Sequence, residues 1–114
     1  MKRILLAATL AATAMLAQAQ YVGPSSVPAA TVKSLQADGK DDQPAVLRGQ
    51  IASSVGHELY LFDDGTGQMR VKIKQRLWPA GQPVGAATKV ELIGEYDKEW
   101  VGEPKFKVRQ IHLL

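Results

Sequence analysis

Cysteine is absent from this chain, and histidine occurs only at His57 and His112. The first absence excludes disulfides, and the two together remove the usual structural zinc sites. Neither histidine has a paired spacing, so both read as surface or edge residues. There is no internal repeat, no heptad pattern and no lipobox cysteine. No stop-transfer segment follows the apolar run at the N-terminus. What remains must fold by core packing alone.

The N-terminus, "MKRILLAATLAATAMLAQAQ", has the form of an export signal. Lys2 and Arg3 make a positive n-region, and Ile4 to Leu16 make an apolar h-region too short to span a bilayer. Ala17-Gln18-Ala19 fits the small-x-small cleavage rule. The expectation is a signal peptide over residues 1–19, cleaved after Ala19, and a periplasmic mature protein starting at Gln20. The charge balance changes with it. Of 14 Lys and Arg, Lys2 and Arg3 leave with the signal. Twelve then face eleven acids, and the formal net charge falls from +3 to +1. Cationic character is therefore local.

Residues 20–30, rich in Pro, Gly, Ser and Ala, read as a flexible lead-in. The domain is expected over 31–114. Thr31 can cap a short helix with Val32 and Leu35 on one face and Gly39 at its C′ position. Five strand patterns follow: 45–53 with Gly49 at a bend, 57–64, 67–76, 89–97 and 105–113. "DDGTG" joins the second and third as a tight hairpin. The connector after the third carries Pro79 and Pro83, which restrict any helix there to a turn or so. The fold class expected is all-β, a small five-stranded OB-fold-type barrel with a short N-terminal helix covering an open end. An SH3-like barrel is the structural alternative.

In the third strand Arg70, Lys72, Lys74 and Arg76 alternate with Met69, Val71 and Ile73. With Leu59 and Leu61 of the second strand taken as inward, Tyr60 and Phe62 would share the outer face with the cations, and Arg48 would join them. Aromatics beside cations attract an anionic glycan, a lipid headgroup or another acidic small molecule. They also suit single-stranded nucleic acid, a partner that export disfavours. The competing reading is a solvated strand face with Lys blunting association. Trp78 and Trp100, in connectors, would plug a barrel end or line an alternative pocket there.

Other constellations carry less. Asp63, Asp64 and Thr66 offer too few oxygens for a calcium cage, so they read as a β-turn. Asp97, Glu99 and Glu103 cluster in the last turn without a partner nucleophile. The chain is therefore expected not to be an enzyme and to need neither a metal nor another cofactor.

The stretches "AVLRGQI", "LYLFDDGTGQMRVKI", "VELIGEYDKEW" and "FKVRQIHLL" resemble, in order, the bacterial OB-fold family of periplasmic stress-tolerance proteins. Gly49, Ile51, Tyr60, Phe62, Asp64, Gly67, Trp78, Gly94, Asp97, Lys98 and Trp100 occupy the matching positions. The resemblance implies an OB barrel, export, a role in envelope stress and ligand binding without an established activity. Rival functions are a protein–protein adaptor on the same face, a metal-sequestering stress protein and a hydrolase.

Overall fold

The computed structural model describes residues 27–98 and 102–114. The signal segment, most of the lead-in, Glu99 and Trp100 lie outside them. The element order is α1 (Val32–Asp38), β1 (Gln43–Gly56), β2 (Leu59–Asp63), β3 (Gln68–Lys72), a 3-10 turn (Gln75–Leu77), β4 (Lys89–Asp97) and β5 (Lys105–Leu113).

Helix α1 has seven residues, too few to persist in water. It is held by local capping and by burial. The Thr31 hydroxyl accepts from the Ser34 N–H, and the Ser34 hydroxyl accepts from the Thr31 N–H, closing a capping box. Val32 and Leu35 are buried in the core. Gly39 follows the helix as expected, but for a different reason. Its φ of −61° is open to any residue. What requires glycine is space: an added Cβ would meet the Leu35 carbonyl and lie 2.7 Å from the Tyr96 ring.

Strand β1 runs through two pairings. Gln43 to Gln50 pair antiparallel with β4, ending at Gln50↔Lys89. Gln50 to Gly56 pair antiparallel with β2. The strand changes partner at Gly49–Gln50, where the bend was expected. A Cβ on Gly49 would lie 2.8 Å from Asp64 Cα and 2.9 Å from the Phe62 ring, and would meet the Asp63 carbonyl. The barrel closes in the order β1-β2-β3-β5-β4, with β3 parallel to β5 from Arg70↔Lys105 to Lys72↔Lys107. This is the OB-type barrel that the strand spacing predicts.

The interior is filled by alternate residues of every strand, among them Leu47, Phe62, Val71, Leu92 and Phe106, each fully buried. Among the described residues no polar or charged side chain is buried with them. Helix α1 covers the end near the β2–β3 turn. Leu77, Trp78 and Val84 of the connector pack against the core from the other end. The lead-in is not loose to its last residue. Ala30 N–H donates to Val46 O and Val46 N–H to Pro28 O, both at 2.9 Å, so residues 28–30 run parallel to β1 and cover Val46.

Candidate functional site

Cross-strand register decides which of the expected site residues meet. Residues directly opposite in an antiparallel pair point to the same side. Phe62 is opposite Met69 and Tyr60 opposite Val71, while Leu61 is opposite Arg70 and Leu59 opposite Lys72. Met69 and Val71 are buried, so Phe62 and Tyr60 point inward with them. The expected placement of Phe62 beside the cations is therefore corrected: Phe62 is wholly buried and cannot touch a ligand on that face. The physical reason is that "LYLF" is apolar at every position, so alternation does not choose its phase. The large ring instead fills the space that Gly49 leaves open. Tyr60 is half-buried at the barrel end, with its ring edge-on to Trp78 at a centroid distance of 5.2 Å. It too leaves the cationic face.

The cations themselves point outward, but two of the expected ones, Arg48 and Arg70, have acidic partners, as do Lys107 and Arg109 beside them. Strand β4 carries Glu91, Glu95 and Asp97 along its outer side. Arg48 Nε donates to Glu91 at 2.9 Å, directly across the β1–β4 ladder. Arg109 grips Glu95 with two hydrogen bonds, 2.7 Å from Nε and 3.2 Å from the second guanidinium nitrogen. That hydrogen bonding holds the Glu95 carboxyl below the usual carboxylate range, and Glu95 in turn raises Arg109. Lys107 Nζ lies 3.4 Å from Asp97, and Arg70 Nε lies 3.1 Å from Glu103.

Lys72 and Lys74 are exposed and have no acidic partner among the described residues. Beyond Lys72 strand β3 ends, but Ile73 is still buried and so keeps Lys74 outward. Arg76 leaves the row in the 3-10 turn. The parallel pairing sets Lys72 against Lys107. Lys72, Lys74, Lys107, Val108 and Arg109 then line a notch of about 210 Å³ where β3 and β5 part. Lys107 and Arg109 were legible as outward residues of the fifth strand. Their place beside Lys72 depends on the parallel β3–β5 closure, which no local pattern specifies.

The hairpin acids have structural occupations. Asp64 accepts from Val32 N–H at 2.8 Å, from Thr66 N–H at 2.9 Å and from the Thr66 hydroxyl at 2.6 Å. It therefore ties the start of α1 to the β2–β3 turn. Asp63 accepts from Gly65 N–H and from the Gln68 amide, and these bonds hold its carboxyl below the usual range. Among the described residues no three His, Cys, Asp or Glu side chains come together as a metal site. No described helix is long and apolar enough to cross a membrane.

The family model for bacterial OB fold (BOF) proteins matches residues 10–113. The chain belongs to the BOF family. Over 84 residues it is 36% identical to the calcium-regulated OB-fold protein CarO of Pseudomonas aeruginosa, covering 74% of this chain and 72% of CarO. It is also 36% identical over 72 residues to YgiW of Escherichia coli K12, 63% of this chain but only 54% of YgiW. The solved structure of YgiW superposes with a TM-score of 0.70 at 34% identity, over 81% of this chain and 99% of that structure. The residues that match the family pattern are largely those that build this barrel: Gly49 makes room, Phe62 fills it, Asp64 caps α1, and a Cβ on Gly94 would meet the Lys107 carbonyl.

Proposed function

We propose that this BOF protein is a non-enzymatic binding module of the periplasm, serving envelope stress tolerance by holding an anionic envelope component. The ligand group is a phosphate or carboxylate, carried by a glycan, a lipid headgroup or another small molecule. The observation that carries the reading is the unpaired couple Lys72 and Lys74 at the β3–β5 notch, with Lys107 and Arg109 completing its wall. Lysines without acid partners leave a local positive potential on a mature chain of nearly balanced charge, and such a field draws acidic ligands from a distance. Export rests on the n-region, h-region and Ala17-Gln18-Ala19 triplet. Relative to the face expected from sequence, the proposed site loses Phe62, Tyr60 and the ion-paired Arg48 and Arg70, and moves toward β5.

The binding test is a titration of the labelled protein with lipopolysaccharide and cell-wall fragments, read by NMR shifts. Reversing Lys72→Glu and Lys74→Glu together should change stability by under about 0.5 kcal/mol, because both are exposed. It should weaken binding about tenfold or more, with wild-type affinity falling as salt rises. Absence of binding by any fragment at millimolar concentration would leave the row as a solvated edge. Cell fractionation with intact-mass analysis checks compartment and cleavage, the expected N-terminus being Gln20.

A further inference from the structure

The barrel has a pocket at each end. The one at Tyr60 and Trp78, between β1 and the β3–β4 connector, is a cleft lined by no charged side chain. The one beside α1 is of another kind. Its volume is about 440 Å³, in the size range of small-molecule sites. Helix α1, the β2–β3 hairpin, the end of β4 and the residues leading into β5 all contribute walls.

Tyr96 lines this pocket and is only 2% exposed. Its ring packs in the core, in the space that Gly39 leaves open. Among the described residues nothing hydrogen-bonds its hydroxyl. No fully buried side-chain oxygen or nitrogen there lacks a partner, so the hydroxyl must sit in the small part of Tyr96 that the pocket exposes. Burial pushes this phenol up, with no neighbouring bond or charge to offset it. A nearly buried hydroxyl with nothing to bond is unusual in a folded protein, and it points to a partner from outside the chain.

The charged residues of the lining are Arg70 and Glu103. Arg70 Nε lies 3.1 Å from a Glu103 carboxylate oxygen, and both side chains keep contact with solvent. The pair engages Nε, so the two terminal guanidinium nitrogens remain as donors, and the second Glu103 oxygen remains as an acceptor. Leu61 and Met69 add apolar surface. A lone anion at Arg70 would meet Glu103 beside it, and a lone cation at Glu103 would meet Arg70, so a single charge gains little. A ligand with both signs a few atoms apart gains from each. A planar guanidinium and a phenol together suit a carboxylate.

We infer that this pocket binds a small zwitterion of the α-amino acid type with an apolar side chain: Arg70 and the Tyr96 hydroxyl would hold its carboxylate, Glu103 its ammonium, and Leu61 and Met69 its side chain. The pocket shares no residue with the cationic notch and stands whether or not an anion binds there.

The test titrates L-leucine into the isotope-labelled protein, beside 4-methylpentanoate, which lacks the ammonium, and 3-methylbutylamine, which lacks the carboxylate. The expected result is NMR shifts at the Met69, Arg70 and Tyr96 amides and at the Gln36 side-chain amide, which is fixed at the wall by its bond to Gln68 O. Each truncated probe should bind about tenfold more weakly or worse, as expected for the loss of charge-assisted hydrogen bonds. Tyr96→Phe removes a hydroxyl that bonds nothing within the protein, so Tm should hold while leucine weakens by about tenfold. Glu103→Gln should weaken leucine but not 4-methylpentanoate. Equal affinity for leucine and 4-methylpentanoate would refute recognition of the zwitterion. Full leucine affinity in Tyr96→Phe, or a fall of several degrees in its Tm, would refute the role of the free hydroxyl. Shifts confined to the notch or to other faces, or no shift at millimolar leucine, would overturn the site.

Discussion

Replacing Gly49 by alanine adds one methyl group at the point where β1 changes partner. The new Cβ would sit 2.8 Å from Asp64 Cα and 2.9 Å from the Phe62 ring, and would press on the Asp63 carbonyl. Separations under 3.0 Å require something to move. Two of the three obstacles are main chain of the hairpin, and that hairpin is fixed. Asp64 is bonded to α1, and Gln50↔Asp63 begins the β1–β2 ladder. The third obstacle, Phe62, is wholly buried, and in a close-packed interior a ring moves only by displacing its neighbours. Overpacking of this kind costs about 1–3 kcal/mol, and the backbone obstacles put Gly49→Ala near the top of that range. In a domain of this size about 3 kcal/mol lowers Tm by roughly 12–24 °C.

The control is Gly85→Ala in the connector. Nothing lies within 4 Å of its Cβ position. Its expected effect is within about 0.5 kcal/mol, or a slight gain from a stiffer unfolded chain. Urea unfolding of both variants, with m compared to show that the transition stays two-state, gives the difference directly. If Gly49→Ala unfolds at the same urea concentration as wild type, the close approach of β1 to the hairpin is not what the barrel depends on. The reasoning about closure then fails.

Three further outcomes are expected. Asp64→Ala removes the carboxylate that accepts from Val32 and Thr66, and should cost about 1–2 kcal/mol, with the largest loss of amide-exchange protection at Val32. Because the Arg109 hydrogen bond lowers the Glu95 carboxyl, the stabilisation from that pair is fully present above the ordinary glutamate value. It is lost as pH falls through the depressed value, so an NMR titration of Glu95 should move toward the ordinary value in Arg109→Gln. EDTA should leave Tm unchanged, since no described cluster has three metal-ligating side chains, and a fall of several degrees would contradict that.

Much of the fold was legible because period-two patterns with polar alternation are unambiguous. "KVELIGEYD" and "KFKVRQIHL" place their strands at 89–97 and 105–113, the observed bounds. The Thr31 cap and the buried Val32–Leu35 pair were equally readable. Strand ends were less so. Strand β1 extends to 43–56 because ladder partners on either side prolong it past its apolar stretch. Strand β3 stops at Lys72, where the chain turns toward Gln75 even though its alternation continues. Asp64 read as a turn residue, and it is one, but its bond to Val32 joins residues 32 apart in sequence and is a tertiary fact.

The site was harder than the fold, and β2 shows why. Side-chain direction in a strand has period two, so choosing the wrong phase exchanges the two faces completely. Where polar residues mark the outside, as in "RVKIK", the phase is forced. In "LYLF" they do not, and the phase is set by the partner strand: Met69 and Val71 face the core, and register brings Phe62 and Tyr60 with them. The exchange has two consequences for function. It removes the aromatics from the cationic face, which leaves Lys72 and Lys74 to act through charge with Lys107 and Arg109 across the parallel seam. It also carries Tyr60 round to Trp78, beneath the stretch of β1 that has no partner on its far edge. The single platform expected from sequence thus separates into a charged notch without aromatics and an aromatic cleft without charge. Charge reversal at Lys72 and Lys74 should therefore leave the Tyr60–Trp78 contact, read at the Trp78 indole, untouched.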